Sequence, residues 1–166
     1  MDKKICLLDL NYTLVGNQAE TRLLRPFTKR MEMEEYRLDL IEAIKPDYII
    51  IVTARPDYQA AQTIANIKKK TGWLPQEWYF NDINGDPPVF KESALKRFIF
   101  PKYGNDGNSY YAVESNPRTR TMYKKYGIFA SPYDVFIKQG VPISVPSADS
   151  NEECDLQQLS LFDIDK

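Results

Sequence analysis

The sequence predicts an α/β protein built on a doubly wound parallel sheet, and three observations carry that prediction. Short apolar runs, above all Ile5-Cys6-Leu7-Leu8 and Tyr48-Ile49-Ile50-Ile51-Val52, show no alternation and are too short for buried helices, as strands covered on both faces must be. Segments with helical spacing separate them, so strand and helix alternate, which implies right-handed crossovers and parallel pairing. The runs end on polar or charged residues followed by turns, where open parallel sheets gather their chemistry.

Taken in order, Ile5 opens a central strand that exits through Asp9-Leu10-Asn11-Tyr12-Thr13-Leu14. Asp9 at its carboxyl end is either a functional carboxylate or a cap for the following turn. Residues Val15 to Met33 are polar, broken by Pro26 and without a clean period, so they read as a loop or flap. Met33, Tyr36, Leu40, Ile41 and Ile44 recur at helical spacing until Pro46 stops them. The strand Tyr48 to Val52 ends at Thr53-Ala54-Arg55. Asp57 is placed to cap a helix with Ala60, Ala61, Ile64 and Ile67 inward and Gly72 beyond its lysine-rich last turn. Trp78-Tyr79-Phe80 is a short strand and 84–88 a turn. Lys91 opens a helix through Ala94, Leu95 and Phe98. Tyr110-Tyr111-Ala112-Val113 leads into Glu114 as a further strand. Asn116-Pro117 supplies an N-cap and a first-turn proline, Gly127 closes that helix, and Ile128-Phe129-Ala130 is the last strand.

A chain of 166 residues, 43% apolar, is long enough for one domain without disulfides or structural metal. Its two cysteines, Cys6 and Cys154, fit neither a disulfide framework nor a zinc site. Histidine is absent, which removes Ser-His-Asp and Cys-His catalysis and every His-ligated metal centre. The apolar runs are too short to span a bilayer and the Lys-rich start lacks a signal-peptide core, so a cytoplasmic protein with no membrane partner is expected. From Gly140 the composition turns to Pro, Ser and acids, giving an expected division into a domain, 1–139, and a disordered linker and tail, 140–166. From Ser147 six acids face the single base Lys166, so the net charge of −1 leaves the rest of the chain mildly positive.

Four strand or helix ends supply a carboxylate (Asp9), a hydroxyl (Thr53), an ammonium (Lys91) and a second carboxylate (Glu114). A carboxylate attacking phosphorus needs a divalent cation to shield the repulsion between two anions, and a hydroxyl and an ammonium to hold the phosphate oxygens. A second carboxylate suits the all-oxygen shell of Mg²⁺.

In these segments, Asp9-Leu10-Asn11-Tyr12-Thr13-Leu14, Ile51-Val52-Thr53-Ala54-Arg55, Lys91 and Ala112-Val113-Glu114-Ser115-Asn116-Pro117-Arg118, the chain resembles the haloacid dehalogenase-like hydrolases over roughly Ile5 to Phe136. Order and spacing are also similar to the phosphatase domain of polynucleotide kinase-phosphatases. The resemblance implies a HAD-like Rossmannoid fold, Asp9 as the nucleophile of a phosphoaspartyl intermediate, and Thr53 and Lys91 on the transferring phosphate. It implies Mg²⁺ on Asp9, the Asn11 backbone carbonyl and Glu114, with Arg55 on a flanking substrate phosphate. The departures are Asn11 where the family carries an acid-base Asp, Tyr12 where it carries Gly, and few carboxylates around Glu114. Loss of general acid-base help is worth about 10²- to 10⁴-fold. Three outcomes stay open: a slow phosphatase, an enzyme for good leaving groups, or a binding protein on a retired fold. Neither gap that holds a cap domain in the family is long enough here, so a capless site open to nucleic-acid ends or nucleotides is expected.

In the tail, Gln158-Leu159-Ser160-Leu161-Phe162 matches the bacterial sliding-clamp binding motif, in which Gln158, Leu159, Leu161 and Phe162 would dock in a surface pocket of the clamp. A tethered domain would be concentrated at DNA replication or repair sites. The alternative is a non-catalytic, clamp-binding regulatory protein of phage origin, and Asn11 is the residue that divides the two.

Overall fold

A computed structural model of the chain describes residues 3–142. The clamp-type peptide Gln158 to Phe162 lies outside the described residues. Five strands, β1 (Ile5–Leu8), β2 (Tyr48–Pro56), β3 (Glu77–Asn81), β4 (Tyr110–Val113) and β5 (Phe129–Ser131), form one sheet in the order β3-β2-β1-β4-β5. Every pairing is parallel, and Leu8 lies opposite both Ile51 and Val113. The chain therefore winds outward from β1 through β2 and β3, then returns to β1's other side for β4. That reversal opens a crevice at the carboxyl ends of β1 and β4, the usual ligand position in such sheets.

The continuous apolar runs follow from burial on both faces. Cys6, Leu8, Ile49, Ile51, Tyr111 and Val113 pack on one side with helices α3 (Leu38–Ile44), α4 (Ala60–Thr71) and α8 (Tyr133–Gln139). Leu7, Ile50, Val52, Tyr110 and Ala112 pack on the other with α5 (Pro87–Ala94) and α7 (Pro117–Lys125). α5 runs on through a widened turn at Leu95–Ile99 into α6 (Phe100–Tyr103), whose Pro101 has no N–H to give to a regular helix. None of the helices is long and apolar enough to cross a membrane among the described residues.

Several boundaries differ from the sequence expectation. The supposed loop from Val15 to Met33 holds α1 (Gln18–Thr21) and α2 (Phe27–Met33), each too short to display a period. Tyr36 makes an antiparallel bridge to Val15, so α3 starts only at Leu38 and Met33 is exposed. Asp57 opens a 3₁₀ turn and caps nothing with its side chain, and Thr63 faces inward where Ala61 was expected. α5 begins at Pro87 rather than at Lys91: the two prolines, taken as a turn, occupy its first turn, where their missing N–H groups cost nothing. α8, absent from the sequence reading, follows Pro132 and stacks Phe136 on Tyr111 at 5.7 Å. The Asn116 cap holds, its Oδ1 accepting from the N–H groups of Arg118 and Thr119, and Gly72 ends α4 with φ 72°.

Gly107 is required by close approach. A Cβ there would lie 2.3 Å from the Tyr126 carbonyl oxygen, where the turn before β4 meets the end of α7. Gly107→Ala should lower stability by about 1–3 kcal/mol or more in urea unfolding. Gly72→Ala, with open space around it, should cost about 1 kcal/mol for its left-handed φ alone. Equal losses would contradict the close packing at Gly107.

Candidate functional site

The crevice at the β1/β4 reversal is built around Lys91. The first two turns of α5 carry its ammonium down to the sheet, where it is 1% exposed, and it donates to Asp9 Oδ1 at 2.9 Å and to Glu114 Oε2 at 2.6 Å. Asp9 arrives as the residue after β1 and Glu114 as the residue after β4. The register of Leu8 on Val113 fixes them side by side, and the Asp9 N–H donates to the Val113 carbonyl. Thr53 stands two residues past the Leu8–Ile51 pairing on β2, fully buried, its Oγ1 accepting from the Arg55 N–H at 3.1 Å. Asp9, Lys91 and Glu114 thus meet in direct contact, and Thr53 stands on the adjacent strand.

The second oxygen of Asp9 accepts from Thr13 Oγ1 at 2.8 Å and Ser115 Oγ at 2.8 Å. Burial alone would push the Asp9 carboxyl up, but Lys91 beside it, with these hydrogen bonds, outweighs that and holds it below the usual range. Glu114 moves the other way. Its burial and the charge of Asp9 exceed the help from Lys91, and it is pushed up to about 8. Burial opposes the charge on Lys91, yet Asp9 and Glu114 together raise it above an ordinary lysine. The cluster thus favours negative charge on Asp9 over Glu114.

Glu114, expected on a cation with Asp9 and the Asn11 carbonyl, is held by Lys91 at its Oε2 and by the Asn116 N–H, which donates to its Oε1 at 3.1 Å. Ser115 stands instead beside the other two expected ligands, its Oγ 2.8 Å from Asp9 Oδ2 and 3.1 Å from the Asn11 carbonyl oxygen. These separations match the edge of about 3 Å expected for adjacent oxygens at 2.0–2.1 Å around octahedral Mg²⁺. The donor types fit that ion. The charge is low, because among the described residues no cluster of three acidic, cysteine or histidine side chains is placed to hold a metal.

Arg55 also differs from expectation. It is buried, with Nη1 and Nη2 donating to Glu34 Oε1 and Oε2 at 3.1 and 2.9 Å, and Nη1 donating to Thr63 Oγ1 at 3.1 Å. Nη2 also donates to Asn11 Oδ1 at 2.8 Å. A guanidinium so committed positions Asn11; it does not stand ready for a flanking phosphate. Glu34 is fully buried and accepts further from Arg30 Nε at 3.3 Å and Tyr36 OH at 3.2 Å. Sequence reasoning missed it, since Met31-Glu32-Met33-Glu34-Glu35 reads as a solvated acidic run. It missed Ser115 as a site residue too, and the only signal was the hydroxyl following Glu114.

No protein-family model matches this chain, and no curated protein matches it in sequence. Among solved structures, a phosphoserine phosphatase in its apo form is similar over 75% of this chain and 83% of that one, with a TM-score of 0.49 and 17% identity. A likeness of that degree assigns no activity.

Lys91→Met should remove the one cation between two buried carboxylates. Such a break costs about 3–5 kcal/mol when the orphaned charges remain. The loss should be larger at about pH 9 than at about pH 6: at the lower pH Glu114 holds a proton in both proteins, whereas above about 8 the natural protein ionises it against Lys91 and the variant, lacking that ammonium, does not. Denaturant unfolding of both proteins at the two pH values measures it. A loss independent of pH would contradict the electrostatic account.

Proposed function

We propose that this chain is a haloacid dehalogenase-like phosphohydrolase in which Asp9 attacks a phosphate monoester. The observation that supports this most is Lys91 held between Asp9 and Glu114 at the sheet's reversal point. A carboxylate kept ionised in a buried crevice, with an ammonium in contact and a buried hydroxyl on the next strand, has the parts that nucleophilic attack on a phosphate requires.

A carboxylate oxygen of Asp9 forms the bond to phosphorus, the bond from phosphorus to the ester oxygen breaks, and the leaving oxygen takes its electron pair. Lys91 stays beside the phosphoryl oxygens and offsets the charge they bring. Thr53, whose Oγ1 accepts from the Arg55 N–H, keeps its hydroxyl proton to donate to them. Water then hydrolyses the aspartyl phosphate and restores Asp9. Asn11, whose amide oxygen is held by Arg55, can neither protonate the leaving oxygen nor activate the water, so turnover falls by about 10²- to 10⁴-fold and good leaving groups are favoured. Mg²⁺ on Asp9, the Asn11 carbonyl and Ser115, with Glu114 behind Lys91, would supply the shielding between two anions.

The substrate reading is a nucleic-acid end or nucleotide. Between β1 and α3 the described residues hold the turn Leu10–Leu14, α1 and α2, and α4 and β3 fill the span from β2 to α5, so among the described residues no separate cap domain covers the site. An open surface groove of about 620 Å³ between α5 and α7 is lined by Lys96, Arg97, Arg118 and Lys125 with the single carboxylate Glu92. It starts beside the helix that follows Ser115; Lys96 and Lys125 pair with Glu92 while Arg97 and Arg118 face Asp82 and Asp86, so its net positive charge is small and its pull on a polyanion modest. The Gln158 to Phe162 peptide would bring the domain to a bacterial-type sliding clamp, in the cytoplasm.

The locking of Asn11 by Arg55 and Glu34 favours a second reading, a retired enzyme that serves as a clamp-bound regulatory protein, because position 11 is built around an amide. Aryl-phosphate hydrolysis with Mg²⁺ separates the two. The first expects slow turnover that Asp9→Asn abolishes. Activity that appears only in Asn11→Asp supports retirement. Deleting Gln158 to Phe162 should abolish co-elution with a bacterial clamp on gel filtration, and unchanged co-elution would remove the recruitment proposal.

A further inference from the structure

Tyr12 adopts φ 62° and ψ 2°, the left-handed region that side-chain-bearing residues rarely enter and that costs a tyrosine free energy a glycine would not lose. The conformation is held from behind. Arg37 Nη1 donates to the Tyr12 carbonyl at 3.1 Å and to the Thr13 carbonyl at 2.9 Å, and its guanidinium lies 3.8 Å over the ring of Tyr133. Tyr133 in turn donates its hydroxyl to Asp39.

The local geometry separates Tyr12 from its neighbours. Leu10 and Leu14 are fully buried, Thr13 is buried on Asp9, and the amide of Asn11 is held by Arg55. Tyr12 alone in this loop is exposed, at 48%, immediately before the residue that bonds the Asp9 carboxylate. A second aromatic, Tyr58, is 80% exposed in the turn that follows the neighbouring strand β2, at the same carboxyl edge of the sheet. Nothing in the packing of the core requires either ring. Strain kept at a site rim by a dedicated brace indicates that the exposed group itself is used.

We infer that Tyr12, with Tyr58 beside the neighbouring strand exit, is a specificity platform that stacks a planar ring carried by the phosphate ester. This rests on the phosphohydrolase reading of Asp9 and names the class of ester that the site prefers. A flat π-face is recognised by stacking whatever its hydrogen-bonding edges, so the ring is either a nucleobase or a simple aryl group. An alkyl phosphate offers nothing to stack.

The test compares dissociation constants of the full chain for thymidine 3′-monophosphate, phenyl phosphate, glycerol 2-phosphate and inorganic phosphate, by calorimetry. It uses the natural protein, Tyr12→Phe, Tyr12→Leu and Tyr12→Gly. The natural protein should bind a ring-bearing ester about tenfold more tightly than glycerol 2-phosphate, the scale expected of one stacking contact. Tyr12→Phe should keep that ratio, and Tyr12→Leu and Tyr12→Gly should lose it with glycerol 2-phosphate unchanged. Tyr12→Gly should also melt at a higher temperature, since it relieves the left-handed strain. A larger ratio for the thymidine ester assigns a nucleobase, and a larger ratio for the phenyl ester assigns an aryl group. A ratio untouched by Tyr12→Leu and Tyr12→Gly, or all esters weakening together, would overturn the inference. Inorganic phosphate bound without any ring preference would overturn the platform alone. Failure of every probe to bind would overturn the phosphohydrolase reading with it.

Discussion

A lysine ammonium enclosed between two carboxylates is the constraint on which the rest of this structure depends. Burying Asp9 and Glu114 next to each other is unfavourable, and only a cation in contact with both makes the crevice tenable. That requirement dictates where α5 must lie, because Lys91 reaches the two carboxylates from a helix packed over β2 and against α7. It also explains why this corner carries so many hydrogen-bond donors. Thr13, Ser115 and the Asn116 N–H satisfy the oxygens that Lys91 does not.

A second charged cluster, Glu34 with Arg55 and Arg30, supports the first from the side of β2. It joins α2, which sequence reasoning took for loop, to the exit of the second strand. Through Asn11 it touches the loop that carries the Asp9 hydrogen bonds. The two clusters give the region a division of labour. One holds an anion ready, and the other fixes the amide that stands where a proton donor would be needed. On the proposed phosphohydrolase reading, slow chemistry and a rigid site follow from the same arrangement.

Much of this was legible in the sequence, for identifiable reasons. Strands buried on both faces leave continuous apolar runs, so β1, β2 and β4 and the residues that end them were visible, and with them Asp9, Thr53 and Glu114. Lys91 was visible as a residue, while its helix was started four residues late because Pro87 and Pro88 signal turns as readily as first turns. The structure's short helices and the Glu34 cluster were not legible. Their stabilisation comes from pairing across tens of residues, such as Arg55 with Glu34, which leaves no period in either segment. The position of Ser115 beside Asp9 is hidden in the sequence for a related reason. Sequence supplies Glu114 and Ser115 as neighbours, but only the position of Lys91 decides which of them turns toward Asp9.

The proposed chemistry makes Asp9 a nucleophile toward phosphorus. Borohydride reduction of a trapped acyl phosphate, followed by peptide mass spectrometry, examines that residue directly. Incubated with Mg²⁺ and an aryl phosphate and then reduced, the protein should yield homoserine at position 9, and none should form in unreacted controls. Unmodified Asp9 in a protein that has turned over its substrate, or homoserine at another aspartate, would contradict the account.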